Sequence, residues 1–369
     1  MAYDAFLLVS FGGPEKPDDV MPFLENVTRG RGIPRERLEA VSHHYLALDG
    51  ASPINDQNRA LVAALRGELE ARGIDLPVYW GNRNWDPYLT PELERIRADG
   101  HRRVLALLTS AYSSYSGCRQ YREDLARSLE AAGLVGELAI DRIRQYFDDP
   151  GFVGPFAEGL ATGLAGLQAE GFATADTRVL FTTHSIPTAM AAASGPQGRF
   201  DDGGAYVAQH LAAIRCVVDE VEARGIAVPP WSLVYQSRSG APHVPWLEPD
   251  INDALRAARG EGMQAAVIVP IGFVSDHVEV IWDLDHEARE TCDELGVRLV
   301  RVATPGTHPA FVRAVADLVE DRLAGRPGAA LSPLGPWPAV CPAGCCANPR
   351  GDLPAACGED STVGTLGGA

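Results

Sequence analysis

The segment Ser275-Asp276-His277-Val278-Glu279-Val280-Ile281-Trp282-Asp283-Leu284-Asp285-His286-Glu287 carries the densest chemistry in the chain. Read as a helix, it sets Glu279, Asp283 and Glu287 at i, i+4 and i+8 on one stripe, with Val278, Ile281, Trp282 and Ala288 largely on other faces. Three stacked carboxylates repel one another, weakly if solvated and more strongly if buried. A solvated acidic face tolerates that repulsion. A path for a cation exploits it, because the cation relieves it. His184 follows an apolar run and precedes Ser185-Ile186-Pro187. A lone histidine is usually structural, but the carboxyl end of a strand is where ligands meet open parallel sheets. His184 with Glu279 would give one imidazole and one carboxylate, an open pair suited to transient handling of a divalent metal.

Other groups carry weaker signals. Arg29, Arg31, Arg35 and Arg37 form a local basic run in an acidic protein. It reads as a solvated surface or as a clamp for carboxylates, which arginine binds bidentately. Phe11-Gly12-Gly13-Pro14 follows a strand but has neither the spacing of a dinucleotide loop nor a Walker lysine. It reads as a turn that lets backbone approach a neighbour closely. Cys341, Cys345, Cys346 and Cys357 crowd the C-terminal stretch, and Cys118 is a candidate fifth thiol. Such density suggests zinc or an iron–sulfur cluster rather than scattered free thiols. The adjacency of Cys345 and Cys346 makes it awkward for both to face one centre.

The elements that must position these groups alternate. Apolar runs at Ala5–Ser10, Val78–Gly81, Val104–Thr109 and Leu138–Ile143 read as strands, as do Val179–Thr183, Ser232–Gln236, Ala266–Ile271 and Arg298–Val302. Amphipathic stretches such as Asn58–Arg72 and Tyr206–Ala223 lie between them. Continuously apolar strands alternating with helices predict parallel sheets covered on both faces. The expected fold is α/β, with two Rossmann-like lobes, each a four-stranded parallel sheet flanked by helices, and a short Cys-rich C-terminal extension. The lobes are expected at 1–155 and 156–325, with the extension at 326–369. Aromatic and small polar residues follow the strands, so one cleft for a flat, mostly apolar ligand is predicted between the lobes.

With 369 residues, 32 Lys and Arg against 49 Asp and Glu, and a net charge of −17, the chain is a poor general binder of nucleic acid or anionic membrane. No apolar run approaches the ~18 residues of a membrane span. The seven cysteines and the lack of a signal-like start point to the cytosol and to metal or redox chemistry.

Taken together, several stretches resemble the ferrochelatase family over roughly residues 4–325. They are Leu7-Leu8-Val9-Ser10-Phe11-Gly12-Gly13-Pro14, Ser52-Pro53-Ile54, Thr183-His184-Ser185-Ile186-Pro187, Tyr235-Gln236-Ser237-Arg238 and Ser275-Asp276-His277-Val278-Glu279. The chain is most similar to the family's actinobacterial branch. That resemblance implies insertion of Fe(II), as substrate, into coproporphyrin III to give Fe-coproporphyrin III in haem biosynthesis. Protoporphyrin IX insertion, another tetrapyrrole chelatase, or a porphyrin carrier are the alternatives. The resemblance assigns His184 and Glu279 to the metal and the pyrrole protons. It assigns Ser52 and Tyr121 to porphyrin contact, and Asp283 and Glu287 to the acidic stripe leading away. It implies a [2Fe-2S] cluster on four of Cys118, Cys341, Cys345, Cys346 and Cys357, with Cys118, Cys341, Cys357 and one of the adjacent pair the expected set. Arg29 and Arg31 are the candidates for the carboxylates of the substrate. A monomer, with a downstream haem-pathway enzyme as partner, completes the expectation.

Overall fold

All eight strands form close to where the apolar runs place them. They are β1 Ala5–Ser10, β2 Val78–Asn82, β3 Arg103–Leu108, β4 Ala139–Arg142, β5 Thr177–His184, β6 Trp231–Gln236, β7 Ala265–Val269 and β8 Arg298–Arg301. The structure is a computed structural model and describes residues 3–30, 32–240 and 243–366.

The strands make two parallel four-stranded sheets, ordered β2-β1-β3-β4 and β6-β5-β7-β8. The second order repeats the first. In each sheet the chain leaves the leading strand, β1 or β5, to one side and returns on the other. The crevice beyond that strand's carboxyl end is the switch point where open α/β sheets bind ligands. Ser10 and His184 end these two strands. Both leading strands have a paired neighbour on each side, and β1 is buried along its whole length. That explains the apolar runs at residues 5–9 of β1 and 179–181 of β5.

The helix Pro150–Ala169 runs straight through the boundary expected between residues 155 and 156. It packs on the helices Gly204–Ala223 and Pro309–Ala324 and on β7, so it belongs with the second sheet. We propose the division at Asp149, whose side chain caps this helix by accepting from the Gly151 amide at 3.0 Å. Phe152 and Phe156 of this helix are fully buried, each contributing about 2 to 3 kcal/mol. They lie in one continuous core that also takes in Phe6 and Leu61 from the first half and Phe181 and Val267 from the second.

Two further helices, Pro17–Val27 and Arg35–Leu46, cover the cleft. Their apolar faces (Val20, Phe23, Leu24, Leu38, Tyr45) pack with Val278 of the second half. The C-terminal extension folds back on the first half. Arg119 donates to Asp360 and to the Leu353 carbonyl at 2.6 and 3.0 Å, and Arg122 to Asp360 and the Ala356 carbonyl at 2.7 and 2.6 Å. Among the described residues, no helix is long and apolar enough to cross a membrane.

Candidate functional site

A cavity of about 690 Å³ opens at the carboxyl ends of both leading strands. Its walls carry Phe11, Tyr45, Tyr121, Phe273 and Trp246, with Ser52, His184 and Glu279 among the polar groups. Flat aromatic walls with a few convergent polar groups suit a planar ligand.

His184 is the last residue of β5. Its Nδ1 lies against the Ser185 carbonyl. A carbonyl can only accept, so Nδ1 carries a proton and Nε2 is the atom that gains or loses one. Nε2 faces Oε2 of Glu279 at 3.6 Å. Behind the imidazole, Tyr206 donates to the His184 carbonyl at 2.7 Å and also bonds the Thr183 hydroxyl at 2.8 Å. Gly272 passes so close that a Cβ there would sit 2.1 Å from Thr183 Oγ1. A glycine is therefore required beside the strand end.

Burial and the Glu279 carboxylate pull the His184 pKa in opposite directions. The carboxylate prevails and holds it above the ordinary value. Burial likewise opposes ionisation of Glu279, but His184, with His277 and His44, brings its pKa down to about 2. Asp283 behaves in the opposite way. Burial, then the charges of Glu279 and Glu287, push it up to about 7 despite a hydrogen bond from Ser237. Gln236 also donates to Asp283, at 3.2 Å.

The stripe expected from spacing thus exists, with one change. Only Val278–Ile281 is α-helical, and Trp282–Glu287 is a π-helical turn before the α-helix resumes at Ala288. Such turns are frequent at functional sites. Trp282, beside the stripe, donates to Glu287 at 2.9 Å and stacks on His44 with ring centroids 4.3 Å apart. Reasoning from the local pattern overlooked His44 and gave no role to His277, Gln236 and Ser237, although their stretches were noted. His44, Gln236 and Ser237 are distant from the stripe in sequence, and only the folded chain brings them to it.

Ser52 and Tyr121 both line the cavity. Gly13 makes room for Ser52, since a Cβ at Gly13 would lie 2.7 Å from that of Ser52. Tyr121 lies under the Arg83 guanidinium, 4.3 Å from its ring centroid. Arg83 is spent internally on Asp124. The arginine expectation is corrected for Arg29. The preceding helix ends at Val27, the chain turns at Gly30 (φ +75°), and Arg29 points to solvent, off the cavity wall. Arg31 lies outside the described residues. Among the described residues, the arginines that reach the wall are Arg37, Arg83 and Arg350.

Four cysteines converge. Cys118, Cys341, Cys345 and Cys346 form one buried group in which the Sγ atoms of Cys118 and Cys341 are 3.7 Å apart and those of Cys345 and Cys346 are 3.8 Å apart. Cys346 has φ +55°. That left-handed backbone lets two adjacent side chains reach the same group, which an ordinary backbone would oppose. Cys357 stands apart. It packs with Leu129 and Ile140, and its thiol donates to the Ile140 carbonyl at 3.1 Å. The fourfold set is therefore corrected: Cys345 and Cys346 both belong, and Cys357 does not. Arg142 donates to Cys341 Sγ at 2.9 Å, and buried Arg142 Nε and Arg122 Nη1 have no partner. Hydrogen bonds from Cys118 and Cys345, then these guanidiniums, hold the Cys341 thiol far below its ordinary pKa. Two buried cations and orphaned donors beside four thiols suit an anionic thiolate-bound group. Among the described residues, no group of three or more His, Cys, Asp or Glu side chains is arranged to hold a metal ion.

Two sheets that present an imidazole–carboxylate pair to a flat cavity, with a carboxylate stripe running from it, describe an α/β enzyme that handles protons and cations on a planar ligand. The chain belongs to the ferrochelatase family, whose model, Ferrochelatase, matches residues 3–323. It is 55% identical to the coproporphyrin III ferrochelatase of Leifsonia xyli subsp. xyli, over 97% of this chain and 95% of that one. It is 56% identical to the coproporphyrin III ferrochelatase of Streptomyces griseus subsp. griseus, over 97% of each. Among solved structures, SirB from Bacillus subtilis with Fe3+ overlays with a TM-score of 0.49 at 12% identity, covering 88% of this chain and 98% of that one.

Proposed function

We propose that this protein inserts Fe(II) into coproporphyrin III, giving Fe-coproporphyrin III for haem synthesis. Full-length relatives at 55% and 56% identity bear the name of that activity. The observation that carries the mechanism is the opposition of His184 Nε2 and Glu279 Oε2 inside the cavity. With neutral His184, both atoms are acceptors and nothing bonds them. A proton or a divalent cation between them satisfies both.

Insertion must remove two pyrrole protons and strip water from Fe(II). Neutral His184 takes the two pyrrole protons in turn on Nε2, ionised Glu279 stabilises the imidazolium that forms, and each proton is handed on to the Asp283 carboxylate before the next is taken. Asp283, with an affinity for protons near neutrality, passes charge between Glu279 and Glu287 and so to the surface. Fe(II) arrives along the same stripe, where it relieves the mutual repulsion of the carboxylates. Ser52 and Tyr121 hold the macrocycle. A rigid cavity that favours a puckered ring over a flat one lowers the barrier by differential binding.

The experiment is anaerobic mixing of the protein with Fe(II) and coproporphyrin III, following conversion of the free-porphyrin bands. Catalytic conversion supports the reading, and stoichiometric binding without turnover overturns it in favour of a carrier.

We further propose that Cys118, Cys341, Cys345 and Cys346 hold a [2Fe-2S] cluster. When bound, it supplies iron–thiolate bonds that tie Cys118 to the C-terminal extension. The support is the two thiol pairs at 3.7 and 3.8 Å and the buried Arg142 and Arg122 beside them. Insertion is not a redox reaction, so these residues serve the fold. Iron and acid-labile sulfide per chain in anaerobically purified protein test this. Seven cysteines without a disulfide suit a reducing compartment, and we place the protein in the cytosol.

A further inference from the structure

A substrate with four carboxylates must find cations in a protein of net charge −17. Among the described residues three arginines line the cavity: Arg83 is already paired with Asp124, and Arg37 stands exposed in the first turn of the helix Arg35–Leu46 with no side-chain hydrogen bond to orient it. Arg350 is of a different kind. It comes from the C-terminal extension, beyond the residues that match the family model, 3–323.

Arg350 is held in place by a chain of specific contacts. Cys345 and Cys346 are fixed in the buried thiol group. Two residues past Cys346, Asn348 donates to both oxygens of the buried Glu123 at 3.3 and 3.1 Å. The Asn348 side chain accepts from the Arg350 amide at 2.9 Å, closing a turn. Glu123 also accepts from Tyr115 at 3.1 Å, and Arg350 Nη2 donates to the Tyr115 hydroxyl at 3.2 Å. The guanidinium lies 5.6 Å from the Tyr115 ring centroid. The charge of Glu123 is answered by Arg119 at 3.2 Å. Arg350 is therefore oriented by a phenol and a ring face, and among the described residues it has no carboxylate partner. An arginine so held at the mouth of a cavity, with its charge uncompensated, is a receptor for an anion.

We propose that Arg350 binds a carboxylate of the porphyrin, and that the thiol group matters to catalysis by anchoring the segment that presents it. This rests on the reading of the cavity as a porphyrin site. It gives the C-terminal extension a role in choosing substrate.

The test is fluorescence titration, without iron, of the full chain and of Arg350→Ala and Arg350→Lys with coproporphyrin III and with its uncharged tetramethyl ester. Steady-state insertion into coproporphyrin III runs beside it, with Arg224→Ala as a surface control. Arg350→Ala is expected to weaken coproporphyrin binding and raise KM by about tenfold, the scale of one charge-assisted contact. The value of kcat should stay within about twofold, and Arg350→Lys should recover most of the loss. Ester binding should not change. Unaltered coproporphyrin binding in Arg350→Ala, beside an active wild type, overturns the inference and leaves the insertion activity intact. Equal losses for acid and ester also overturn it, since the arginine would then act through packing. A wild type that binds coproporphyrin but never metallates it overturns the insertion reading instead.

Discussion

His184 Nε2 and Glu279 Oε2 face each other at 3.6 Å, one from the end of β5 and the other from the helix Val278–Ile281, ninety-five residues further along the chain. Each shifts the other's proton affinity, His184 upward and Glu279 down to about 2. Together they set an imidazole with raised proton affinity beside a carboxylate that stays ionised.

His184→Ala removes the base and keeps the aromatic walls. Turnover should fall by about 10² to 10⁴, while the affinity for coproporphyrin stays close to wild type. Anaerobic insertion rates and iron-free fluorescence titration separate the two.

The pH profile follows from the sign of the His184 shift. Only neutral His184 accepts a proton, so kcat/KM should climb as pH rises through a value above 6.5. In Glu279→Gln the largest raising influence is gone, and burial is opposed only by the Ser185 carbonyl and the Asp283 charge. The acidic limb should then move to lower pH, at a reduced plateau. A limb that stays in place would assign it to another group.

Asp283 links the stripe to stability. Its carboxyl ionises near 3.8 when unfolded and at about 7 in the folded protein. Between those values the folded state holds a proton that the unfolded state has released, so this group lowers stability as pH rises from 3.8 to 7. Asp283→Asn should therefore melt higher than wild type at pH 8, with a smaller difference at pH 4, and should insert iron more slowly. Melting curves at the two pH values check the sign.

Cys346→Ser and Cys118→Ser should lose the visible absorption and acid-labile sulfide of a cluster, whereas Cys357→Ser should keep both. Loss in Cys357→Ser would return that residue to the ligand set.

Gly272→Ala places a methyl group 2.1 Å from Thr183 Oγ1 and 2.9 Å from Thr183 Cα. The strand end must move, which should cost about 1 to 3 kcal/mol of stability and slow insertion by displacing His184. Chemical denaturation and turnover of the same sample measure both.

The eight strands were legible because parallel strands covered on both faces need continuous apolar runs, a local property of composition. Spacing also placed Glu279, Asp283 and Glu287 on one stripe, since i, i+4 neighbours are set by helix geometry alone. It could not place the π turn, which the contacts of Trp282 with His44 and Glu287 accompany. Nor could it sort the cysteines. Local order made Cys345 and Cys346 look incompatible and Cys357 equivalent to them. The left-handed Cys346 and the packing of Cys357 beside Ile140 reverse both readings. The same holds for the arginines. Density singled out the run Arg29, Arg31, Arg35 and Arg37, of which Arg37 lines the cavity and Arg29 does not, so whether a cation faces a cavity depends on where its backbone is anchored. Residue types and their periodicity thus determined the strands and the acidic stripe, and marked His184 by its place at the end of an apolar run. Tertiary structure decided which thiols meet and which arginine is anchored at the cavity without a carboxylate partner, because those depend on contacts between segments more than two hundred residues apart, such as Tyr115 with Arg350.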